Sequence, residues 1–583
     1  MKRVLVAVAW PYVNGEQHVG HLGGYLIPAD IFARYMRLRG YDVLMVSGSD
    51  CYGTPTTVQA DKEKVTPQEI VKKYHKRDLS IFNLYGLSYN LYTKTTTENH
   101  KQVVQELFLD LLKNSYIVKG TMKQYYSTKD EKFLPDRYVE GTCPHCKSRD
   151  QRSDQCEECG RWLEDGELKN PKSKLTGSKV ILKDSEHYFI DFKKLEKELK
   201  HYVNSKKDVW KRWIWAEASG WLREGLRRRA ITRDIDWGVE LPITEIKKLS
   251  NDKQISDFKG KRIYVWFEAV MGYLSASIEW SRRVKKKISG NESEIIFSSF
   301  KDQNKDWKKF WFDKNSKHYY FMGQDNLVFH TLMWPGQLIG TKKKYTLPYD
   351  VVVNKFMNYE GKKFSKSRGW TIDSTKIAKT YGVDLVRYYI SSTLPENKEG
   401  NFVWKEFVSS INNELVANLG NFIHRTLSFI DSKFEGKIPK GKFDNEVGFE
   451  IRDAFCETEE LFESVKFVEG LQRIFRLVSF ANKYFDKNAV WKVINEDKKK
   501  AGEILYNCIQ IIQALRVLLT PVLPTSMEKL SVMLGVTNVE WQVGKDHYKF
   551  EKVKAGKELG KVEVLFKKLD PEVVEKNVKK ISS

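Results

Sequence analysis

An apolar run, Val4 to Val8, is followed by the loop Trp10-Pro11-Tyr12-Val13-Asn14-Gly15-Glu16-Gln17 and then by a helix-like segment, Leu22 to Arg39. A buried strand that runs through a Pro/Gly loop into a helix commits this part of the chain to an α/β sheet. The helix N-terminus then offers unpaired N–H groups and a positive dipole end, which suit a phosphate. His18 and His21 stand there, one helical turn apart, with Gly20 between them. Such a histidine pair is weak evidence alone. Ile27, Ile31, Tyr35 and Leu38 share one face of the helix, Pro28 is expected to kink it, and Gly40 suits its stop. A second apolar strand, Tyr41–Val46, follows, so the unit is βαβ with a parallel, right-handed crossover. It ends at Ser47-Gly48-Ser49-Asp50, the strand end where sites form in such sheets.

At 583 residues the chain is too long for one core. Residues 1–115 read as the first half of a Rossmann-like catalytic domain, with further helices at 67–86 and 97–114. Residues 116–230 change to short strand signals and read as a connective insertion. Residues 231–348 return to α/β and form the second half, with strand candidates Ile263–Phe267 and Tyr319–Met322; 281–310 is charged and expected on the surface. Residues 349–400 hold the strand Val351–Val353, a Gly/Lys/Ser loop and a helix over 373–391. From 401 to 540 long apolar periodicity predicts an all-α bundle with a turn at Pro521 and Pro524. The tail, 541–583, is expected to fray except where Val562–Phe566 docks.

Lys and Arg exceed Asp and Glu by 99 to 76, a net charge of +23 that points to a polyanionic partner, RNA or DNA first. Sixteen Trp and 28 Tyr speak for folded domains rather than a basic tail. No signal sequence or spanning apolar run is present, so a cytoplasmic, soluble protein without membrane contact is expected.

Cys143, Cys146, Cys156 and Cys159 form C-x2-C-x9-C-x2-C. Two such knuckles complete a tetrahedral S4 site that suits one structural Zn2+. Iron–sulfur ligation and redox pairs are the alternatives, and the symmetric spacing favours zinc. Its role would be to fold an insertion with little core of its own. Gly361-Lys362-Lys363-Phe364-Ser365-Lys366-Ser367-Arg368-Gly369 is a basic loop bracketed by glycines. A hinged loop of this kind can close over a triphosphate and neutralise charge that grows in the transition state.

His18-Val19-Gly20-His21 resembles the HIGH motif, and Lys363-Phe364-Ser365-Lys366-Ser367 the KMSKS motif, of class I aminoacyl-tRNA synthetases. The segments 9–15, 133–137, 231–234, 264–269 and 323–330, with the four-cysteine insert, resemble the methionyl-tRNA synthetase family over about residues 3 to 540. The resemblance implies methionine activation by ATP with Mg2+, followed by transfer to tRNA(Met). It implies His18, His21, Lys363 and Lys366 as catalytic groups, with Gly20, Asp325, Ser365 and Ser367 also meeting ATP. Methionine would be held by Ala9, Trp10, Tyr12, Asp50, Arg233, Trp266, Ala269, Val270, Tyr273, Asn326 and His330, with Asp50 on the ammonium. Asn421, Arg425 and Trp491 would read the anticodon. Phe364, Trp10, Val270, Asn326 and Val490 depart from commoner residues of the family. The absence of a large editing insert separates the chain from synthetases for isoleucine, valine and leucine. The four motif residues His18, His21, Lys363 and Lys366 speak against a non-catalytic RNA-binding paralogue. A monomer is expected.

Overall fold

The computed structural model describes residues 2–577 except 130, 135–137, 154–155, 157, 160–162, 164–165, 251–257, 287–305, 365–368, 538, 542–549 and 575. A five-stranded parallel sheet is built from β1 (Arg3–Val8), β2 (Asp42–Ser49), β3 (Leu91–Lys94), β4 (Lys317–Gly323) and β5 (Asp350–Asn354). Their order is β5-β4-β1-β2-β3. Val6 sits in register with Met45 on one side and Tyr319 on the other. Strand order reverses at β1, so β1 and β4 flank a crevice at their carboxyl ends, the place where ligands bind in open α/β sheets.

Successive side chains of β1 point to opposite faces. Val4, Val6 and Val8 enter a core shared with helix Ile27–Leu38 and the C-terminal bundle. Leu5 and Ala7 face a second core with helices Glu98–Lys113 and Gly272–Lys286. One continuous core therefore joins the sheet to the bundle, the Rossmann-like and all-α architecture expected from the sequence.

Four local readings are corrected. The helix after the His18 loop is α over Val19–His21, π over Leu22–Leu26 and α again over Ile27–Leu38. Pro28 lies in the first turn after the π segment, where the change of hydrogen-bond register accommodates its missing N–H. Ile263–Phe267 is not a strand: only Arg262–Ile263 pairs, and Val265–Glu268 turns into a helix. The helix predicted over 373–391 is two, Ser374–Tyr381 and Val383–Ser392, broken at Gly382 with φ +100°. Of the predicted surface stretch 281–310, residues 287–305 lie outside the described residues, and its last residue, Phe310, is fully buried.

The insertion rises on an antiparallel pair, Ile117–Ser127 with Val180–Asp191. It carries a small sheet in which Val139–Thr142 pairs with Gln151–Arg152 and Lys169–Ser173. The bundle contains helices Asn421–Lys433, Asn445–Glu463, Phe467–Lys487 and Lys498–Leu519. The tail docks beyond Val562–Phe566. Val553 and Phe566 are buried, and Asn412 clasps the backbone N–H and C=O of Leu569, both at 2.8 Å.

Arg387 is fully buried at the joint. Its Nη2 donates to Asp30 Oδ2 at 2.7 Å and to the Pro521 carbonyl at 3.0 Å; Nε and Nη1 donate to the carbonyls of Val522 and Tyr85. One guanidinium thus ties sheet domain, linker helix and bundle together.

Candidate active site

The crevice between β1 and β4 opens into a cleft of about 740 Å³. Its floor comes from the loop after β1, its walls from the ends of β2 and β4 and from the segments 264–273 and 355–364.

His18 is the N-cap of the first turn. Its Nδ1 accepts from Gly20 N–H at 3.1 Å, and its own N–H donates to His21 Nδ1 at 3.1 Å. A reciprocal box of this kind normally uses Ser and Glu; here two imidazoles do the same work. Because both Nδ1 atoms accept, each neutral ring carries its proton on Nε2. The two rings lie 3.9 Å apart, and both line the cleft, so the pair can offer Nε2–H donors to one anionic group.

Asp50 follows β2, and its N–H bonds to the Pro11 carbonyl at 2.8 Å. It is buried, and among the described residues Oδ1 has no hydrogen-bond partner. Burial pushes its pKa well up and so disfavours its charge. A buried carboxylate with an oxygen left unbonded is suited to receive an ammonium.

Trp10 makes the wall beside it. Its ring meets Tyr273 edge-on at 6.5 Å and lies against Gly48 and Gly272. A Cβ on Gly48 would stand 2.4 Å from the indole, and one on Gly272 2.6 Å. The two glycines make the room that this large residue needs. His330 Nδ1–H donates to the Asn326 carbonyl at 2.9 Å, so its Nε2 accepts from Tyr273 O–H at 2.8 Å. Burial lowers the His330 pKa to about 4, which keeps this tautomer neutral. Phe329 and His330 belong to a second π segment, Phe329–Met333.

Behind the pocket lies a pair that the sequence did not reveal. Glu268 Oε2 and His100 Nε2 are 2.5 Å apart, and His100 Nδ1 is 2.8 Å from Ser275 Oγ. Ser275 donates to the Gly272 carbonyl, so it accepts from His100 Nδ1–H. Burial keeps His100 neutral, so its Nε2 accepts and the proton between the pair belongs to Glu268. Burial raises Glu268 and lowers His100 to about 3, in line with a neutral pair. A neutral Glu268 does not repel an ionised Asp50. The separation of 168 positions along the chain leaves no local signal for their meeting.

Of the residues expected to meet methionine, Ala9, Trp10, Tyr12, Asp50, Trp266, Ala269, Val270, Tyr273, Asn326 and His330 line the cleft together. Arg233 is not among the lining residues: its guanidinium lies 4.0 Å over the Tyr264 ring and bonds to the carbonyls of Ala230 and Thr232. Gly20, Asp325 and Lys363 line the cleft, whereas Ser365, Lys366 and Ser367 lie outside the described residues.

In the bundle, Asn421 and Arg425 share one face of helix Asn421–Lys433. Arg425 lies 4.4 Å over Phe485 and 5.5 Å over Trp491, and donates to Asp486. Trp491 is 40% exposed, a stacking surface rather than a core residue.

The four knuckle sulfurs lie within 4.8 Å of one another. Cys143 and Cys159 are 4.0 Å apart, and Cys146 and Cys156 3.5 Å. A Zn–S distance of about 2.3 Å gives a tetrahedral edge of about 3.8 Å, which these values bracket. The backbone N–H of Cys146, directed at Cys143, lowers that thiol to about 7. The donor set and spacing fit a tetrahedral S4 metal site.

The family described as tRNA synthetases class I (M) matches residues 4–427. The anticodon binding domain of methionyl tRNA ligase matches residues 438–583. A methionine–tRNA ligase of Roseiflexus castenholzii is 41% identical, over 92% of this chain and 87% of its own. The chain belongs to the methionine–tRNA ligase family. Another member, from Thermococcus kodakarensis, is 38% identical over 98% of this chain and 75% of its own. The fold of the Mycobacterium tuberculosis methionyl-tRNA synthetase, solved with methionyl-adenylate, matches with a TM-score of 0.75. That match has 22% identity and covers 97% of this chain and 100% of that one. Within the methionine–tRNA ligase family, the switch-point cleft is therefore the site to interpret. Among the described residues no helix is long and apolar enough to cross a membrane.

Proposed function

We propose that the chain activates L-methionine with ATP to methionyl-adenylate and pyrophosphate, then transfers the methionyl group to the 3′ end of tRNA(Met). What carries the reading is that one switch-point cleft holds the capped imidazole pair and, beside it, the buried Asp50 in an aromatic slot.

Asp50 receives the methionine ammonium. Trp10, Tyr12, Trp266, Tyr273 and His330, with Ala269 and Val270, enclose the unbranched thioether, for which sulfur–aromatic contact is favourable. Asn326 lies at the slot's edge. The methionine carboxylate attacks the α-phosphorus, the bond to the β-phosphate oxygen breaks, and pyrophosphate leaves. Negative charge grows on the in-line phosphate oxygens, so positioning and cationic stabilisation are the work required. The Nε2–H groups of His18 and His21 donate to those oxygens; Asp325 faces the adenosine side. Lys363 and Lys366, with the hydroxyls of Ser365 and Ser367, neutralise the leaving pyrophosphate, and Mg2+ arrives with the triphosphate. No covalent enzyme intermediate is needed. Arg233 serves the substrate once its guanidinium leaves the Tyr264 ring.

The insertion, 116–230, is held by one Zn2+ on Cys143, Cys146, Cys156 and Cys159. Residues 401–540 form the anticodon-reading bundle, with Asn421, Arg425 and Trp491 receiving unstacked bases. The protein works in the cytoplasm as a monomer. Methionine-dependent ATP–pyrophosphate exchange tests the reading; exchange with isoleucine and not with methionine would overturn it. Elemental analysis of the purified chain tests the metal, and a zinc content far below one per chain would count against the knuckle.

A further inference from the structure

The position of Phe364 is set from both sides. Strand Met357–Tyr359 pairs antiparallel with Lys362–Lys363. Their connection, Glu360-Gly361, has two positive φ angles, +45° and +77°, the signature of a tight two-residue hairpin. This hairpin delivers Phe364 directly onto the imidazole pair. Its ring is stacked on His18 at 4.7 Å and 9°, and on Tyr359 at 5.7 Å and 18°. Tyr359 is itself fixed: its hydroxyl accepts from Trp404 Nε1 at 3.0 Å, and its carbonyl from Trp370 Nε1 at 2.9 Å. Further along, Asp373 bridges the backbone of His18. Both ends of the basic loop therefore converge on the same histidine.

Gly20 is where this arrangement matters. A Cβ there would lie 3.1 Å from the Phe364 ring and 2.9 Å from the His18 ring. The absent side chain opens a flat backbone surface next to the phosphate-binding imidazoles, and a planar aromatic ring already lies on it. Such a surface is the natural seat for the base of a nucleotide whose phosphates meet His18 and His21.

We propose that Phe364 is a built-in competitor for the adenine base: its ring fills the surface that Gly20 opens, and ATP enters as that ring swings out. The inference rests on the cleft being the ATP site. The free chain then pays the Phe364–His18 stack before nucleotide binds, so its apparent affinity is reduced by the fraction of molecules with the ring out. An aromatic pair of this kind corresponds to roughly 2- to 10-fold in affinity.

Adenosine carries the base without the phosphates and separates this effect from loop closure. Calorimetric titration of the full-length chain with adenosine, and separately with inorganic pyrophosphate, is the test. Phe364→Leu is expected to bind adenosine roughly 2- to 10-fold more tightly, with pyrophosphate affinity unchanged. Phe364→Trp, a larger plug, is expected to weaken adenosine. Methionine titration of each variant reports an intact neighbouring pocket. Weaker adenosine binding by Phe364→Leu would make the ring a stacking platform and overturn the proposal; equal binding would overturn it as well. A wild-type chain without methionine-dependent pyrophosphate exchange would instead remove the underlying site reading.

Discussion

Replacing Asp50 with Asn tests the electrostatics of the pocket. Asn keeps the shape and can still accept from the backbone N–H of Tyr52 that contributes to holding the carboxyl. What disappears is the charge. Asp50 is buried with an unpartnered oxygen, and burial raises its pKa. Removing one partner of a desolvated, hydrogen-bonded charge pair costs about 2 to 5 kcal/mol. The expected loss in kcat/KM for methionine is therefore roughly 30- to 5000-fold. The ammonium selects the ionised carboxylate, so the wild-type KM for methionine falls as pH rises through the free-site pKa of Asp50, then levels. The variant lacks that segment of the profile. Stability moves the other way. A carboxyl whose folded pKa lies above its unfolded value destabilises the fold increasingly as pH rises past the unfolded pKa. Asp50→Asn should therefore unfold at a higher temperature than wild type at pH 7. Methionine-dependent pyrophosphate exchange across pH, with calorimetry alongside, reads both. A loss of less than about 3-fold, or an unchanged pH profile, would refute the reasoning.

Glu268→Gln should keep the methionine KM within about 3-fold of wild type, because the carboxyl it replaces is already neutral; a large rise would show that Glu268 acts as an anion. Gly48→Ala places a methyl group 2.4 Å from Trp10 and 2.8 Å from the Thr93 carbonyl, which must give way. Overpacking of this kind costs about 1 to 3 kcal/mol, and the displaced indole should raise the methionine KM while the ATP KM stays put. Arg387→Met removes four buried hydrogen bonds and leaves Asp30 with Arg34 and Ser88. A loss of about 3 to 5 kcal/mol is expected, seen by calorimetry as an earlier unfolding transition; an unchanged midpoint would contradict the joint's role.

β1, β2, β4 and β5 are legible in the sequence because central parallel strands, buried on both faces, are continuous apolar runs. Ile263–Phe267 has the same look, yet folds into a helical turn: Val265 and Phe267 are buried from a helix, and a short apolar run cannot distinguish the two. The apolar pattern over 373–391 runs on through Gly382, but the φ of +100° at that glycine breaks the helix in two. At the site, residue types carry the resemblance, whereas proton positions do not follow from types. That His18 and His21 face the cleft through Nε2 comes from the reciprocal cap, and that His330 uses Nδ1 comes from the Asn326 carbonyl. The room for Trp10 depends on Gly48 and Gly272, which chain separation hides until the sheet is assembled.

Two π segments lie at the cleft and set a rule for how it can change. Leu22–Leu26 and Phe329–Met333 each widen a helical turn at the cleft, supplying Gly24, Tyr25, Phe329 and His330 to it. A wide turn is a local surplus of chain. Removing one residue from Leu22–Leu26 would use up that surplus and close the segment to ordinary α-helical turns, leaving Ile27, Ile31 and Tyr35 in the phase that fills the core. Gly24 and Tyr25 would lose their places in the lining while the fold behind them stands. A single deletion in Leu22–Leu26 should therefore damage substrate binding far more than stability, whereas one within Ile27–Leu38 should turn the apolar face out of the core.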